Sequence, residues 1–334
     1  MALANIKWMD FKETLEALQG LSVETILVIV DEHLWPIYKE KLPFDALPGK
    51  EVYIWRASDG ENTKNLTEYT RCLEFFLEKA IRRDAYLVAL GGGALHDFAG
   101  MIAATLLGGI AWTAIPTTMV SMIHPPFTGE VSLNSRFGEN LIGLKYPPQE
   151  IWINLDFLKT LPPTQMSSGR GELLRQAFLS KDVAEAILQQ APLAEQIKLA
   201  LAAQTKILQS DGGQAALLKL GSLLQRALEK TYSLSYGPAL AEGLYLSFCL
   251  AGDQAKMQQW RQLQAVLLPD LKERPWSVGG FSPKKILTYL GRDKQAWQGA
   301  QLQLILPTSA GLAPVAFNMA QLEDAFEKIS LGDA

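Results

Sequence analysis

Short apolar runs recur through the first half of the chain, and each has the length and composition of a buried β-strand. They are ETILVIVD (24–31), EVYIWRA (51–57), AYLVALGGG (85–93), IAWTAIPTT (110–118) and EIWINLD (150–156). Helical patterns lie between these runs, and the clearest predicts a helix over residues 66–84. Because strands that alternate with helices form parallel sheets covered on both faces, we expect a parallel sheet in this half of the chain.

The second half of the chain has a different pattern. Beyond about residue 160, apolar residues recur at helical spacing, and QLQLILP (301–307) is one late strand-like run. We therefore predict a Rossmann-like α/β domain over residues 1–160, followed by a mainly α-helical domain over residues 161–334.

The composition narrows the class of protein. Hydrophobic residues make up 48% of the chain, and a formal net charge of −4 without a basic block argues against a nucleic-acid partner. The uncharged segment 98–115 has a glycine pair and a strand-forming second half, which favours a buried helix, a turn and a strand over a membrane span.

Cys72 and Cys249 are predicted to be buried thiols. With no signal-peptide pattern at its start, the chain is expected to be cytoplasmic.

Three consecutive glycines follow the third apolar run, at the edge where a parallel sheet binds its ligands. A helix predicted to begin near Asp97 would point its N-terminal amides toward a group lying over Gly91, Gly92 and Gly93. Exposed backbone beside a helix N-terminus suits a pyrophosphate. The alternative is a tight turn in which Asp97 is only the N-cap of the helix.

Several motifs, in the same order along the chain, resemble the 3-dehydroquinate synthase family. They are SDGENTK (58–64), ALGGGALHDFAG (89–100), PTTMVSM (116–122), GENLIG (138–143), LDFLKTLP (155–162) and SSGRGELL (167–174). The resemblance implies an N-terminal α/β domain and a C-terminal helical domain, commonly in a homodimer. It also implies NAD as a transient oxidant, a divalent metal that is usually zinc or cobalt, and conversion of a heptulosonate phosphate to 3-dehydroquinate in the shikimate pathway.

The resemblance assigns NAD-binding roles on the α/β side. Asp31 matches the acid near the adenosine ribose, and Glu61 and Lys64 match a loop that contacts the adenosine portion. The full set of implied NAD-binding residues is Asp31, Glu61, Lys64, Gly91, Gly92, Gly93, Asp97, Thr117, Thr118 and Thr160. One departure is Glu139, which stands where the family has a lysine that helps to hold NAD.

The metal side departs further from the family. Glu172 matches the family's glutamate ligand, but Ser222 and Tyr236 stand where the family has its two metal-binding histidines. A catalytic zinc ion requires about three protein ligands, usually imidazoles with a carboxylate. We therefore expect that the usual metal site is absent.

The substrate-binding positions are only partly retained. The candidate catalytic residues are Asn140, Glu172, Arg175 and Lys294. Glu130 and His124 replace a lysine and an acid of the family, and a carboxylate in place of an ammonium group repels an anionic substrate.

Three functional hypotheses follow. The chain carries out the family reaction through an altered site, or it is an NAD-dependent enzyme acting on a less anionic substrate. In the second case His124, Glu130 and Glu172 could form a rebuilt acid/base or metal cluster. The third hypothesis is a non-catalytic NAD-binding protein with a regulatory or assembly role.

Overall fold

The computed structural model describes residues 4–124, 126–127, 129–210, 214–271, 282–291 and 297–330. The chain divides into two compact units, called unit 1 (Met1–Leu161) and unit 2 (Pro162–Ala334). Among the residues described, no helix is both long and apolar enough to cross a lipid bilayer. Both cysteines are buried thiols that form no disulfide, as predicted.

Unit 1 is built on a six-stranded parallel sheet, which confirms the predicted fold class. Its strands are β1 (Asn5–Trp8), β2 (Thr25–Asp31), β3 (Glu51–Ala57), β4 (Tyr86–Gly91), β5 (Ala111–Pro116) and β8 (Glu150–Ile153), while β6 (Glu130–Ser135) and β7 (Gly138–Lys145) form a separate hairpin. The order across the sheet is β1-β8-β5-β4-β2-β3, and every neighbouring pair is parallel. The central strands β2 and β4 are buried almost throughout, as strands covered on both faces must be.

Five helices accompany this sheet. They are α1 (Phe11–Gln19), α2 (Trp35–Tyr38), α3 (Leu66–Leu77), α4 (Gly93–Thr105) and α5 (Met119–Ile123). Helix α3 ends well before the predicted residue 84, and Ala80 beyond it has a positive φ of 51°. Helix α4, the turn after it and β5 confirm the interpretation of segment 98–115 as a helix, a glycine turn and a strand.

The predicted start of α4 was wrong. Its N-cap is Gly92, with extended backbone angles, so Asp97 lies inside the helix and is not its cap. The helix can begin directly after β4 because glycine fits beside Thr118, whose Cγ2 lies 3.2 Å from the position of an added Cβ.

Neither β1 nor the hairpin was predicted from the sequence. Strand β6 is only six residues long, and the exposed strand β7 has no alternating apolar pattern. Strand β1 has only four residues at the edge of the sheet, too few to show a periodicity.

Unit 2 is mainly helical, as predicted. Its helices are α6 (Pro163–Leu179), α7 (Lys181–Leu188), α8 (Leu193–Gln209), α9 (Ser222–Tyr232), α10 (Tyr236–Ala251), α11 (Gln254–Leu267), α12 (Pro283–Leu290) and α13 (Met319–Ser330). An antiparallel sheet of β9 (Trp297–Gln298), β10 (Gln301–Thr308) and β11 (Gly311–Phe317) completes it. Strand β11 was not predicted because it contains Pro314, which a sheet accepts on an edge strand.

Candidate functional site

The glycine turn of unit 1 forms an open cradle at the N-terminus of α4. A Cβ added to Gly93 would meet no atom within 4 Å, so a ligand has room to approach the backbone there. The turn is tied to the neighbouring strand because the Thr117 amide donates to the Gly91 carbonyl oxygen at 3.0 Å. Helix α4 has 13 residues, and its first amides carry the partial positive charge that attracts anions. The cradle therefore fits a pyrophosphate.

A buried lysine lies beside this cradle. Lys64 is 2% exposed, and its Nζ donates to Asp97 Oδ2 at 2.5 Å and to Asn140 Oδ1. Asp97 follows Gly93 by four residues and so shares its face of α4. Ser132 Oγ donates to Asn140 Oδ1 at 2.8 Å. Burial raises the pKa of Asp97, and the Lys64 ammonium group opposes that rise. This cluster fixes α4 against the β6-β7 hairpin.

Asn134 extends the cluster and was missed by the sequence analysis. Its Nδ2 donates to Glu61 Oε2 at 2.8 Å, and its Oδ1 accepts from the Asn140 amide at 2.8 Å. Asn140 has a positive φ of 57°, a conformation that asparagine tolerates better than most residues. The structure thus places Asn140, predicted as catalytic, beside Lys64 of the predicted cofactor group.

Asp31 lies at the end of β2, as expected for a residue that faces a ligand at this edge of the sheet. Its Oδ1 accepts from the His33 amide at 2.8 Å. Burial is the largest cause that raises the pKa of Asp31, and the nearby Asp59 carboxylate raises it further. Within the described ranges, Asp31, His33 and Asp59 form the one group of histidine and carboxylate side chains whose ligand atoms lie within 4.8 Å of one another. His33 and Asp59 are exposed, and exposed acidic groups of this kind are common in proteins without a bound metal.

The three predicted threonines have local structural partners. Thr118 caps α5, and its Oγ1 accepts from the Ser121 amide at 3.2 Å. Thr117 is 3% exposed and holds the glycine turn through its backbone. Thr160 Oγ1 lies 2.5 Å from the Tyr38 hydroxyl oxygen. These contacts do not join Thr160 to the cradle residues.

In unit 2, the residues at the family's metal-ligand positions, Glu172, Ser222 and Tyr236, all interact with Arg175. Arg175 Nη2 forms a hydrogen-bonded ion pair with Glu172 Oε2, and its Nη1 donates to Ser222 Oγ at 2.7 Å. The Tyr236 hydroxyl donates to the other Glu172 oxygen, Oε1. Glu172 is fully buried and Arg175 is 4% exposed. Lys294, the remaining predicted catalytic residue, lies outside the described residues.

Two glycines allow this cluster to form. A Cβ added to Gly171 would lie 2.8 Å from Gly237 Cα, and one added to Gly237 would lie 2.2 Å from the Ser167 carbonyl oxygen. Helices α6 and α10 therefore touch backbone to backbone at this point. Their close approach brings Glu172 and Tyr236, the residues next to these glycines, within hydrogen-bond reach.

The residues of this cluster do not fit a zinc or cobalt ion. Both carboxylate oxygens of Glu172 already have partners, and a fixed guanidinium charge lies against them. Burial and the Glu172 carboxylate raise the pKa of Tyr236, so its phenol stays protonated. A serine hydroxyl and a neutral phenol are not the imidazole and carboxylate ligands that zinc prefers.

Two members of the cluster suggested for His124, Glu130 and Glu172 have partners within their own units. Glu130 Oε1 lies 3.7 Å from Lys145 Nζ on the exposed hairpin of unit 1. Glu172 is paired with Arg175 and Tyr236 inside unit 2.

Unit 2 also contains a cavity of about 580 Å³, which is a suitable size for a small molecule. Its polar lining consists of Lys219, Ser222, Arg226, Ser247, Gln298 and Gln303. The glutamines lie on β9 and the first half of β10, so their sharing a cavity with α9 could not be predicted from the sequence. The two basic side chains make the cavity suited to an anion.

Comparison with known proteins agrees with this architecture. The family description "3-dehydroquinate synthase N-terminal" matches residues 54–168. A 3-dehydroquinate synthase of Staphylococcus aureus (strain Newman) is 32% identical over 238 residues, covering 67% of this chain and 67% of that protein. The corresponding protein of strain JH9 is 31% identical over the same length, with the same coverage of both chains.

Solved structures show the same fold at lower identity. A 2-deoxy-scyllo-inosose synthase complexed with carbaglucose-6-phosphate, NAD⁺ and Co²⁺ has a TM-score of 0.82 and 21% identity, covering 97% of this chain and 96% of that one. The 2-epi-5-epi-valiolone synthase from Streptomyces hygroscopicus subsp. jinggangensis 5008, with NAD⁺ and Zn²⁺ bound, has a TM-score of 0.76 and 19% identity, covering 99% and 97%. From the sequence identity to the curated synthases, this chain belongs to the 3-dehydroquinate synthase family.

Proposed function

We propose that this protein binds NAD through unit 1 and does not carry out the metal-dependent conversion of a heptulosonate phosphate to 3-dehydroquinate. The observation that supports NAD binding is the open backbone at Gly93, at the N-terminus of a helix that follows a parallel strand. The pyrophosphate would accept hydrogen bonds from the first amides of α4. The hydrogen bond from Lys64 Nζ to Asp97 Oδ2 would hold that helix in place.

The carboxylates at the end of β2 and in the loop after β3 favour NAD over NADP. Asp31 and Asp59 lie close together, and carboxylate oxygens accept hydrogen bonds from ribose hydroxyls. The same negative charges repel the additional phosphate of NADP. The adenosine ribose would therefore bind beside Asp31.

The contacts of Glu172 in unit 2 support the proposal that this protein does not carry out the family reaction. Arg175 and Tyr236 occupy both oxygens of the carboxylate that would be needed for a metal. Without a metal, nothing among the described residues of this cluster polarises the reacting oxygens in the way a Lewis acid does. In unit 1, Glu130 and Glu139 also bring negative charge to positions where the family has lysines.

The first test of this proposal is calorimetric titration of NAD into the wild-type protein and into Gly93→Ala and Gly93→Val. The added side chains enter open space, so both variants should fold and melt like the wild type. We expect a graded loss of affinity, with Gly93→Val weakened at least about tenfold, because its methyl groups displace the pyrophosphate from the helix amides. Equal affinity for all three proteins would contradict this placement of NAD.

The second arm measures phosphate release from 3-deoxy-arabino-heptulosonate 7-phosphate with NAD and added zinc or cobalt. A 3-dehydroquinate synthase from Staphylococcus aureus provides the positive control. We expect no release above the blank from this protein. NAD-dependent release would overturn the negative half of the proposal and leave NAD binding intact.

One observation favours a second candidate function, an NAD-dependent oxidoreductase that uses no metal. The cavity of unit 2 has room for a small molecule, and Lys219 and Arg226 suit a carboxylate or phosphate. A panel of sugar acids and polyol phosphates, followed by NADH absorbance, tests for this activity. NADH formation that Lys219→Ala abolishes would support the enzyme over a protein that only binds NAD.

A further inference from the structure

We infer that the guanidinium of Arg175 is the resident cation of unit 2 and occupies the position that a divalent metal would otherwise take. The inference concerns unit 2 alone and does not depend on NAD binding. It assigns the cluster of Glu172, Arg175, Ser222 and Tyr236 a defined role as an internal salt-bridged core that excludes metal.

The buried charge of Glu172 is the first observation that supports this inference. Its side chain is fully buried on α6, where an ionised carboxylate requires a cation or several strong donors. Arg175 lies one turn further along the same helix and forms a hydrogen-bonded ion pair with it. The negative charge that would attract a metal is therefore neutralised inside the chain.

The geometry of the guanidinium carries the second step. Its planar fork presents several donors in fixed directions, so one group can satisfy several acceptors. In unit 2 it contacts Glu172 on α6 and Ser222 Oγ at the start of α9, and the Tyr236 hydroxyl at the start of α10 interacts with it as well. Three helices thus meet at one positive charge, as ligands from separate elements do around a metal.

The protonation states support the same conclusion. Burial is the largest influence on the pKa of Arg175 and lowers it, but Glu172 and Tyr236 together more than offset this, and the net shift is upward. An arginine guanidinium stays protonated in proteins, so Arg175 keeps its charge in this cluster. A zinc or cobalt ion entering this cluster would meet a positive charge that cannot be lost and a phenol that does not ionise.

The first experiment measures metal binding by the chain itself. His33→Asn, which breaks the exposed group of Asp31, His33 and Asp59, is incubated with excess zinc or cobalt, desalted and analysed for bound metal. We expect less than about a tenth of an equivalent to be retained, and the same melting temperature with zinc as with EDTA. Retention of about one equivalent would overturn the inference, and so would a melting temperature that EDTA lowers.

The second experiment tests whether Arg175 itself excludes the metal. Ser222→His/Tyr236→His supplies two imidazoles beside Glu172, once with Arg175 retained and once combined with Arg175→Met. We expect about one equivalent of cobalt, with a tetrahedral visible spectrum, only in the triple variant. Adding Glu172→Gln to that triple variant should abolish the spectrum.

The matched pair separates the role of Arg175 from that of the histidines. Equal cobalt binding with and without Arg175 would show that the guanidinium does not occupy the metal position, and would overturn the inference. If circular dichroism shows that the histidine variants do not fold, the metal content of His33→Asn alone decides the question.

Discussion

Unit 1 and unit 2 each contain one cluster of buried charge, and the two clusters differ in what surrounds them. In unit 1 the Lys64–Asp97 pair lies beside an open cradle whose Gly93 has free space in front of it. In unit 2 the Glu172–Arg175 pair lies where the resemblance places a metal, and its partners Ser222 and Tyr236 complete it. The first cluster leaves space for a ligand beside it, whereas the residues of the second cluster are paired with one another.

The difference shows why one ligand site can outlast another in the same fold. The cradle is made of backbone amides and of the absence of side chains, so few substitutions remove it as long as the glycines remain. A metal site is made of side chains with defined chemistry, and replacing two imidazoles is enough to remove it. In this chain a single arginine, Arg175, neutralises the buried carboxylate of Glu172.

The sharpest test of this contrast is Arg175→Ala, which leaves the fully buried Glu172 without its cation. We expect the free energy of unfolding to fall by about 3–5 kcal/mol, the usual cost of removing one partner of a buried ion pair. Urea denaturation followed by circular dichroism measures this change.

Lys159→Ala is the control, because Lys159 also pairs with a carboxylate three residues earlier, that of Asp156, but the two side chains are 76% and 42% exposed. It should cost only about 0–1 kcal/mol. Equal losses from the two variants would mean that the Arg175 pair contributes no more than a surface pair does.

A smaller effect is expected in unit 1 from His96, which lies on the buried face of α4 behind the cradle. Burial lowers the pKa of His96 to about 4 from an ordinary value of about 6.5. Between these values the unfolded chain binds a proton that the folded chain does not. Stability is therefore present above pH 6.5 and is lost as the pH falls toward 4, by about 3 kcal/mol over the whole interval.

Urea unfolding at several pH values between 7 and 4 tests this prediction by comparing the wild type with His96→Leu. The variant should lose this part of the pH dependence but keep the part that comes from carboxylates. Parallel stability curves for the two proteins would show that His96 is not held neutral, and that the helix behind the cradle tolerates a charge.

The smallest effect concerns the open edge of unit 1. Asp31→Ala should weaken NAD binding about tenfold, because hydrogen bonds to a charged acceptor contribute about 1.5–3 kcal/mol and water replaces part of them. It should also reduce the preference for NAD over NADP by removing one of two nearby carboxylates. Asp45→Ala, an exposed acid elsewhere in unit 1, is the control and should leave both affinities unchanged. An unaltered NAD affinity in Asp31→Ala would contradict the proposed placement of the ribose beside Asp31.

Much of unit 1 could be predicted because its signals are local. Strands β2 to β5 and β8 are continuous apolar runs, and the glycines stand next to the strand that they terminate. The hairpin could not be predicted in the same way, since β6 is short and the exposed strand β7 has no alternating apolar pattern. Asn134 was missed for the same reason, because only the hairpin's fold brings it to Glu61 and Asn140.

By itself, the sequence determined the strands β2 to β5 and β8, their alternation with helices and the position of the glycine cradle. The resemblance to the family added that Ser222 and Tyr236 stand where the family has metal-binding histidines. These features depend on residues that are close to one another in the sequence. The tertiary structure alone decided what became of the metal position. Glu172 and Arg175 are three residues apart, but Ser222 and Tyr236 reach them from 47 and 64 residues away. Tyr236 does so because Gly171 and Gly237 let α6 and α10 touch, and no local pattern specifies such a contact.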